Sequence, residues 1–202
     1  LKNIYKSLIA VSAAFIGVYA FLVYGFLELG IAVHPIMKEN FKAHPLGIYV
    51  HIFPSLLALI LGPFQFNTTF RNHKIHIHRF IGKIYLLCVL IGGLSGLYMA
   101  QFSFGGMISH SGFGLLALLW LFTGYKAYTS IIRKQIHAHY NWMVINFALS
   151  FAAVTLRLGL GIGFASGIPF ETFYPFLAWL CWIPNFLVAL IWVKQATASQ
   201  AP

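Results

Sequence analysis

The sequence predicts an all-α integral membrane protein of six transmembrane helices with a central four-helix bundle. Three observations predict it. The 202-residue chain is 60% hydrophobic and only 8% charged, with a mean hydropathy of +0.82, whereas a water-soluble domain carries about 25% charged residues. Six apolar runs each reach the roughly 20 residues that cross a bilayer. Its 8 Pro and 18 Gly are spread through those runs, which membrane helices tolerate better than soluble ones do. Six spans and their loops use up the length, so a single transmembrane domain over residues 1–202 is expected.

The first span runs from about Ser7 to Leu29. Its positive start, Lys2 and Lys6, resembles a signal peptide. The apolar run is too long for one, and no small-residue cleavage site follows, so it reads as a retained helix. Because the chain begins with Leu, the initiator or a few residues are expected to be missing. The later spans run from about Gly47 to Phe66, His76 to Gln101, Met107 to Tyr128, Ile136 to Ile162 and Thr172 to Val193. The first outer loop, Gly30 to Leu46, is the longest connection and can fold over the outer end of the bundle. In the sixth span Tyr174, Trp179, Trp182 and Trp192 read as interface anchors and packing. Asn185 after Pro184 predicts a kink whose freed backbone is satisfied locally. There is no repeat, low-complexity segment or long linker.

Charge orients the chain. Lys2, Lys6, Arg71, Lys74, Arg79, Lys83, Lys126, Arg133, Lys134 and Lys194 group with the N-terminus, the even-numbered loops and the C-terminus, and only Lys38, Lys42 and Arg157 fall on the other side. By the positive-inside rule both termini are cytoplasmic, in a bacterial inner (plasma) membrane, with lipid as the surroundings. The net charge of +10 records that rule rather than a nucleic-acid partner. The chain has no Asp and three Glu (Glu28, Glu39, Glu171), all on the outer side. That excludes paired-carboxylate catalysis and a carboxylate proton path. Cys88 and Cys181 sit in apolar runs outside any C-x-x-C or C-x-x-C-H motif, so they read as small buried residues, and any haem is non-covalent and b-type.

Four of the nine histidines stand near the ends of four successive spans: His51, His78, His110 and His139. Alternation of the spans places His51 and His110 near one face and His78 and His139 near the other. Steps of three and four residues from each give faces rich in small or polar residues. They are His51, Ser55, Ala58 and Gly62; His78, Gly82, Tyr85, Gly92 and Gly96; and His110, Gly114, Ala117, Leu121 and Gly124. The fifth span gives His139, Met143, Asn146, Ser150, Ala153 and Arg157, and polar groups in a bilayer face the bundle interior. Small residues serve close helix packing equally well, and an interfacial histidine can be merely amphipathic. Two imidazoles at each of two depths, however, suit two six-coordinate haems.

The remaining histidines divide similarly. His34 and His44 each precede a proline in the outer loop and read as solvated, and His73 as interfacial. His76/His78 and His137/His139 are H-x-H pairs, each expected to turn one histidine inward and one outward. With His73, they leave a cytoplasmic zinc or copper cluster (His73, His76, His78, His137, His139) as an alternative. The lack of aspartate and usable thiols weakens it. Arg157, deep in the fifth span, calls for an anion: a haem propionate, Glu171, Glu28 or a bound ion. Snorkelling to the headgroups is the plainer account. Arg79 and Lys83 stand where propionates of an inner haem, or lipid headgroups, would meet them. Met143 or Tyr85 would then be placed to tune or gate that inner site.

The runs GPFQF (Gly62 to Phe66), HRFIGKIY (His78 to Tyr85), HYNWM (His139 to Met143), VTLR (Val154 to Arg157) and AWLCWIPN (Ala178 to Asn185) carry a likeness. They resemble a bacterial membrane family classed as a domain of unknown function, DUF 2306, over most of the chain from about His51 onward. The architecture is also similar to the cytochrome b561 family, by pattern rather than alignment. That second resemblance implies one b haem between His51 and His110, another between His78 and His139, and transmembrane oxidoreductase activity from ascorbate or similar donors. Its donor-binding motifs have no match here.

The expectation is thus a di-haem b-type transmembrane electron carrier, with a quinol or another small donor. Two alternatives belong to other classes. One is a metal- or haem-handling accessory protein such as an oxidase assembly factor. The other is a structural subunit of a larger membrane complex.

Overall fold

A computed structural model describes residues 2–198, with side chains from residue 4. Leu1, residues 199–202 and the side chains of residues 2 and 3 lie outside the described residues, and with them the Lys2 charge used for orientation. Those residues are all-helical, with no strand among them. Six helical segments are long and apolar enough to cross a membrane: Ile4–Phe26, Pro45–Gln65, Ile75–Ala100, Gly106–Ile132, Ile136–Ala165 and Phe170–Ala198. The six expected spans are all present, their ends shifted by a few residues.

The backbone clusters into two compact units, residues 1–104 and 105–202. The first holds α1 (Lys2–Phe26), α2 (Pro35–Ala43), α3 (Pro45–Gln65), α4 (Thr68–His73) and α5 (Ile75–Ala100). Helix α3 packs on α1 and α5, α2 rests on α3, and α4 on α5. The long outer loop is therefore partly helical. Pro35 starts α2, where its missing N–H is no loss, and Pro45 starts α3 directly afterwards. Asn67 caps α4 by accepting the Phe70 N–H at 2.9 Å.

The pairing of α3 with α5 is antiparallel. Near the start of α3 a Cβ on Gly47 would stand 2.8 Å from the Tyr98 ring, His51 bonds to Gly92, and Gln65 at the far end faces Gly82. Gly47 is what permits the close approach.

The second unit holds α6 (Gly106–Ile132), α7 (Ile136–Ser150), α8 (Ala152–Ala165), α9 (Phe170–Leu180) and α10 (Ile183–Ala198). Helix α6 packs on α7 and α9, and α10 packs on α7. The chain enters α6 through Gly105 at φ +100°. That left-handed backbone, and Pro175 Cγ 2.7 Å from where a Cβ would sit, leave room only for glycine.

Spans five and six are each two helices rather than one. Ser150 returns its hydroxyl to the carbonyl one turn back, at Asn146, a habit that bends helices. The α9–α10 break lies at Cys181–Trp182, just before Pro184. As expected from the Pro184-Asn185 pair, the loosened backbone is satisfied locally. Asn185 Nδ2 donates to Cys181 O at 3.1 Å and to Thr155 Oγ1 at 3.0 Å, and Thr155 Oγ1 itself donates to the same carbonyl. Tyr174 and Trp182 are core residues, 4% and 3% exposed, while Trp192 is exposed. Both cysteines are free and buried.

Candidate functional site

In the first unit His51 lies on α3, two turns in, half-buried against α5. Its Nδ1 is 2.8 Å from the carbonyl oxygen of Gly92. A carbonyl only accepts, so Nδ1 carries the proton and donates. The neutral ring then has its lone pair on Nε2, a nitrogen from which an imidazole is able to bind a metal. The level of His51 is thus the level of Gly92. His78, in the first turn of α5, lies fourteen residues before Gly92, about 21 Å along the axis at roughly 1.5 Å per residue. One unit therefore carries histidines at two well-separated depths.

The second unit repeats the pattern. His139, in the first turn of α7, donates from Nδ1 to Ala127 O of α6 at 2.9 Å, which again leaves the lone pair on Nε2. His110, on the first turns of the same α6, is seventeen residues before Ala127, about 25 Å away along the helix.

The antiparallel α6–α7 register is held by a buried polar knot. Asn146 Nδ2 donates to Trp120 O and Thr123 Oγ1, each at 2.8 Å, and Trp120 Nε1 donates to Ser150 Oγ at 2.8 Å. Asn146 and Ser150 belong to the polar stripe expected on the fifth span. Both bond to α6, so the middle of the stripe serves helix pairing.

Other groups at these levels bear on whether a flat macrocycle fits. Ser55, one turn on from His51, buries its hydroxyl without a hydrogen-bond partner, as Gln65 buries its amide nitrogen. Gln65 faces Gly82, one turn on from His78. One turn on from His110, Gly114 has no atom within 4 Å of where a Cβ would stand. Within the first unit the unsatisfied polar atoms of Ser55 and Gln65 suit the polar edge of a flat group, and imidazole is a donor set suited to haem iron.

The H-x-H expectation holds: His76 and His137 are exposed, and His78 and His139 are half-buried. His73 is exposed on α4, and His137 Nδ1 accepts from Asn141 Nδ2 at 3.3 Å. Among the described residues, no three of His, Cys, Asp or Glu gather into a group able to hold a metal ion. Arg157 is half-buried and donates from Nη1 to Ala153 O at 2.9 Å, on its own helix. Glu28, one of the partners considered for it, is bonded by Lys42 at 3.0 Å and Lys38 at 3.8 Å. The Lys42 hydrogen bond first, and then the nearby Lys38 charge, hold its carboxyl below the ordinary value.

Two outer-loop histidines differ from expectation. His34 is half-buried at the start of α2 rather than solvated. His44 stacks on Phe102, ring centroids 3.7 Å apart, and its Nδ1 is 3.0 Å from Tyr98 Oη. It lines a shallow groove of about 460 Å³ with Gly47, Val50, Ser95 and Tyr98. Sequence reasoning missed this site because its halves, at residues 44–50 and 95–98, are joined only by the α3–α5 pairing.

No curated protein and no solved structure matches the chain, and the likeness to cytochrome b561 gains no support from these comparisons. A family model does match, over residues 48–193, well over half of the sequence. Its matched region takes in all four span-end histidines, and the chain belongs to this family, described as predicted membrane protein (DUF2306).

Proposed function

We propose that this membrane protein binds b haem through the imidazoles of His51, His78, His110 and His139 and carries electrons across the bilayer, with a quinol as donor. Four imidazoles would be enough to hold two haems. The observation that carries the reading is the pair of bonds from His51 Nδ1 to Gly92 O and from His139 Nδ1 to Ala127 O. Metal-ligating histidines characteristically donate their other ring nitrogen to a carbonyl, which fixes the tautomer and raises ligand basicity. In both cases the acceptor belongs to a residue with little or no side chain, Gly92 or Ala127, on the neighbouring helix.

Haem b supplies a one-electron couple whose potential answers to axial ligand, burial and nearby charge. The chain's own part is to fix the imidazoles, exclude water and place cations. Arg157 and Arg79 are the cations proposed to meet propionates at the outer and inner levels. The excess of Lys and Arg in the even-numbered loops supports cytoplasmic termini in a bacterial inner membrane.

The test is a reduced-minus-oxidised absorption spectrum of the purified protein with pyridine haemochrome quantification. Two b haems per chain are expected, one lost in His51→Ala and the other in His78→Ala. A single haem ends the transmembrane relay, and none, after expression with adequate haem supply, refutes the reading.

A further inference from the structure

The groove at the start of α3 contains a histidine–tyrosine pair, His44 and Tyr98, within hydrogen-bond distance of each other. Val50 and Tyr98, which line it, are 37% and 44% exposed, so an amphiphile dissolved in the bilayer reaches it sideways. Its roughly 460 Å³ falls in the ordinary range for a small-molecule site, about 300–1,000 Å³. Gly47 keeps its floor open, since any side chain there would enter the Tyr98 ring and Met99 Sδ, both 2.8 Å from the Cβ position.

The polar pair inside has a specific capacity. With His44 Nδ1–H donating to Tyr98 Oη across 3.0 Å, Tyr98 keeps its own O–H to donate and His44 Nε2 keeps a lone pair to accept. Stacking on Phe102 holds the imidazole plane. One acceptor and one donor side by side, in an otherwise apolar groove, match the hydroxyl of a quinol and the carbonyl of the corresponding quinone. The far wall leads to His51. Ser95 Oγ donates to Gly92 O at 3.2 Å, the same carbonyl that takes the His51 Nδ1 proton at 2.8 Å.

We propose that this groove is a binding site for the ring of a lipid-soluble quinol or quinone, with His44 accepting from the hydroxyl of the reduced form and Tyr98 donating to the carbonyl of the oxidised form. Its role as an entry point for electrons rests on the electron-carrier reading, but its existence as a binding site does not.

The experiment is equilibrium binding of a tritiated decyl-tailed benzoquinone to the full chain in nanodiscs, measured over empty nanodiscs, with haem counted on the same samples. The variants are His44→Phe, Tyr98→Phe and Val50→Trp, the last filling the groove without touching the polar pair. One saturable site per chain is expected, weakened roughly tenfold for the quinone by Tyr98→Phe and for its dithionite-reduced quinol by His44→Phe, and blocked for both by Val50→Trp, at unchanged haem content. Absence of saturable binding overturns the proposal. So does binding that the variants leave unaltered and that decyl alcohol displaces equally well, because the groove then holds only an acyl tail. A His44→Phe chain that fails to fold leaves the decision to Tyr98→Phe and Val50→Trp. A chain without haem that still binds quinone in this pattern keeps the site and ends the electron-carrier reading.

Discussion

Asn146→Leu tests how much the polar knot between α6 and α7 contributes to holding the two helices together. Asn146 is fully buried, with Nδ2 donating to Trp120 O and Thr123 Oγ1. Leucine keeps the approximate volume and removes both bonds. Neither acceptor becomes an orphan donor: Thr123 Oγ1 still donates to Leu119 O at 2.8 Å, and Trp120 O is a backbone carbonyl. The cost therefore includes the two bonds themselves. Interhelical hydrogen bonds in membranes average about 0.6 kcal/mol each and reach about 1.7, which gives about 1 to 3 kcal/mol for the pair. The assay is reversible unfolding by SDS in mixed micelles, followed by tryptophan fluorescence. A loss under about 0.5 kcal/mol, or a gain, refutes the argument, since each bond would then fall below the membrane average.

Further expectations concern packing and charge. Gly112→Ala places a Cβ 3.0 Å from the Ala178 carbonyl and 2.9 Å from Trp179 Nε1, disturbing the Trp179 bond to Ile108 O. A backbone atom cannot step aside cheaply, so the same titration is expected to show a loss of about 1–3 kcal/mol. Glu28→Gln removes the ion pairs that tie the end of α1 to α2. Because the folded carboxyl titrates below its ordinary value, wild type is expected to melt above the variant at neutral pH. The difference is full above the ordinary carboxylate value and vanishes as the pH falls through the depressed one. A melting-temperature difference that persists in strong acid contradicts that assignment.

How much of the site was legible follows from what periodicity encodes. The inward turn of His78 and His139, and the outward turn of His76 and His137, needed only the helical step. The buried cysteines and the α9–α10 break beside Pro184 were legible for the same local reasons. The carbonyl partners of His51 and His139 were not, because they lie 41 and 12 residues away on helices whose relative register no composition reveals. The stripe on the fifth span was visible, yet its middle turned out to serve α6. Polar residues mark an interior face without saying whether a helix or a ligand occupies it.

The sequence by itself determined the membrane, the six spans, the family likeness and the faces on which the histidines stand. These follow from hydropathy and from a period of about 3.6 residues per turn, both properties of the chain alone. Only the tertiary structure decided which imidazole nitrogen carries its proton, that spans five and six are each broken, and that His44 meets Tyr98 across 54 residues. Those depend on which backbone carbonyls and rings are brought within about 3 Å, the distance over which a hydrogen bond acts, and that is set by packing between helices.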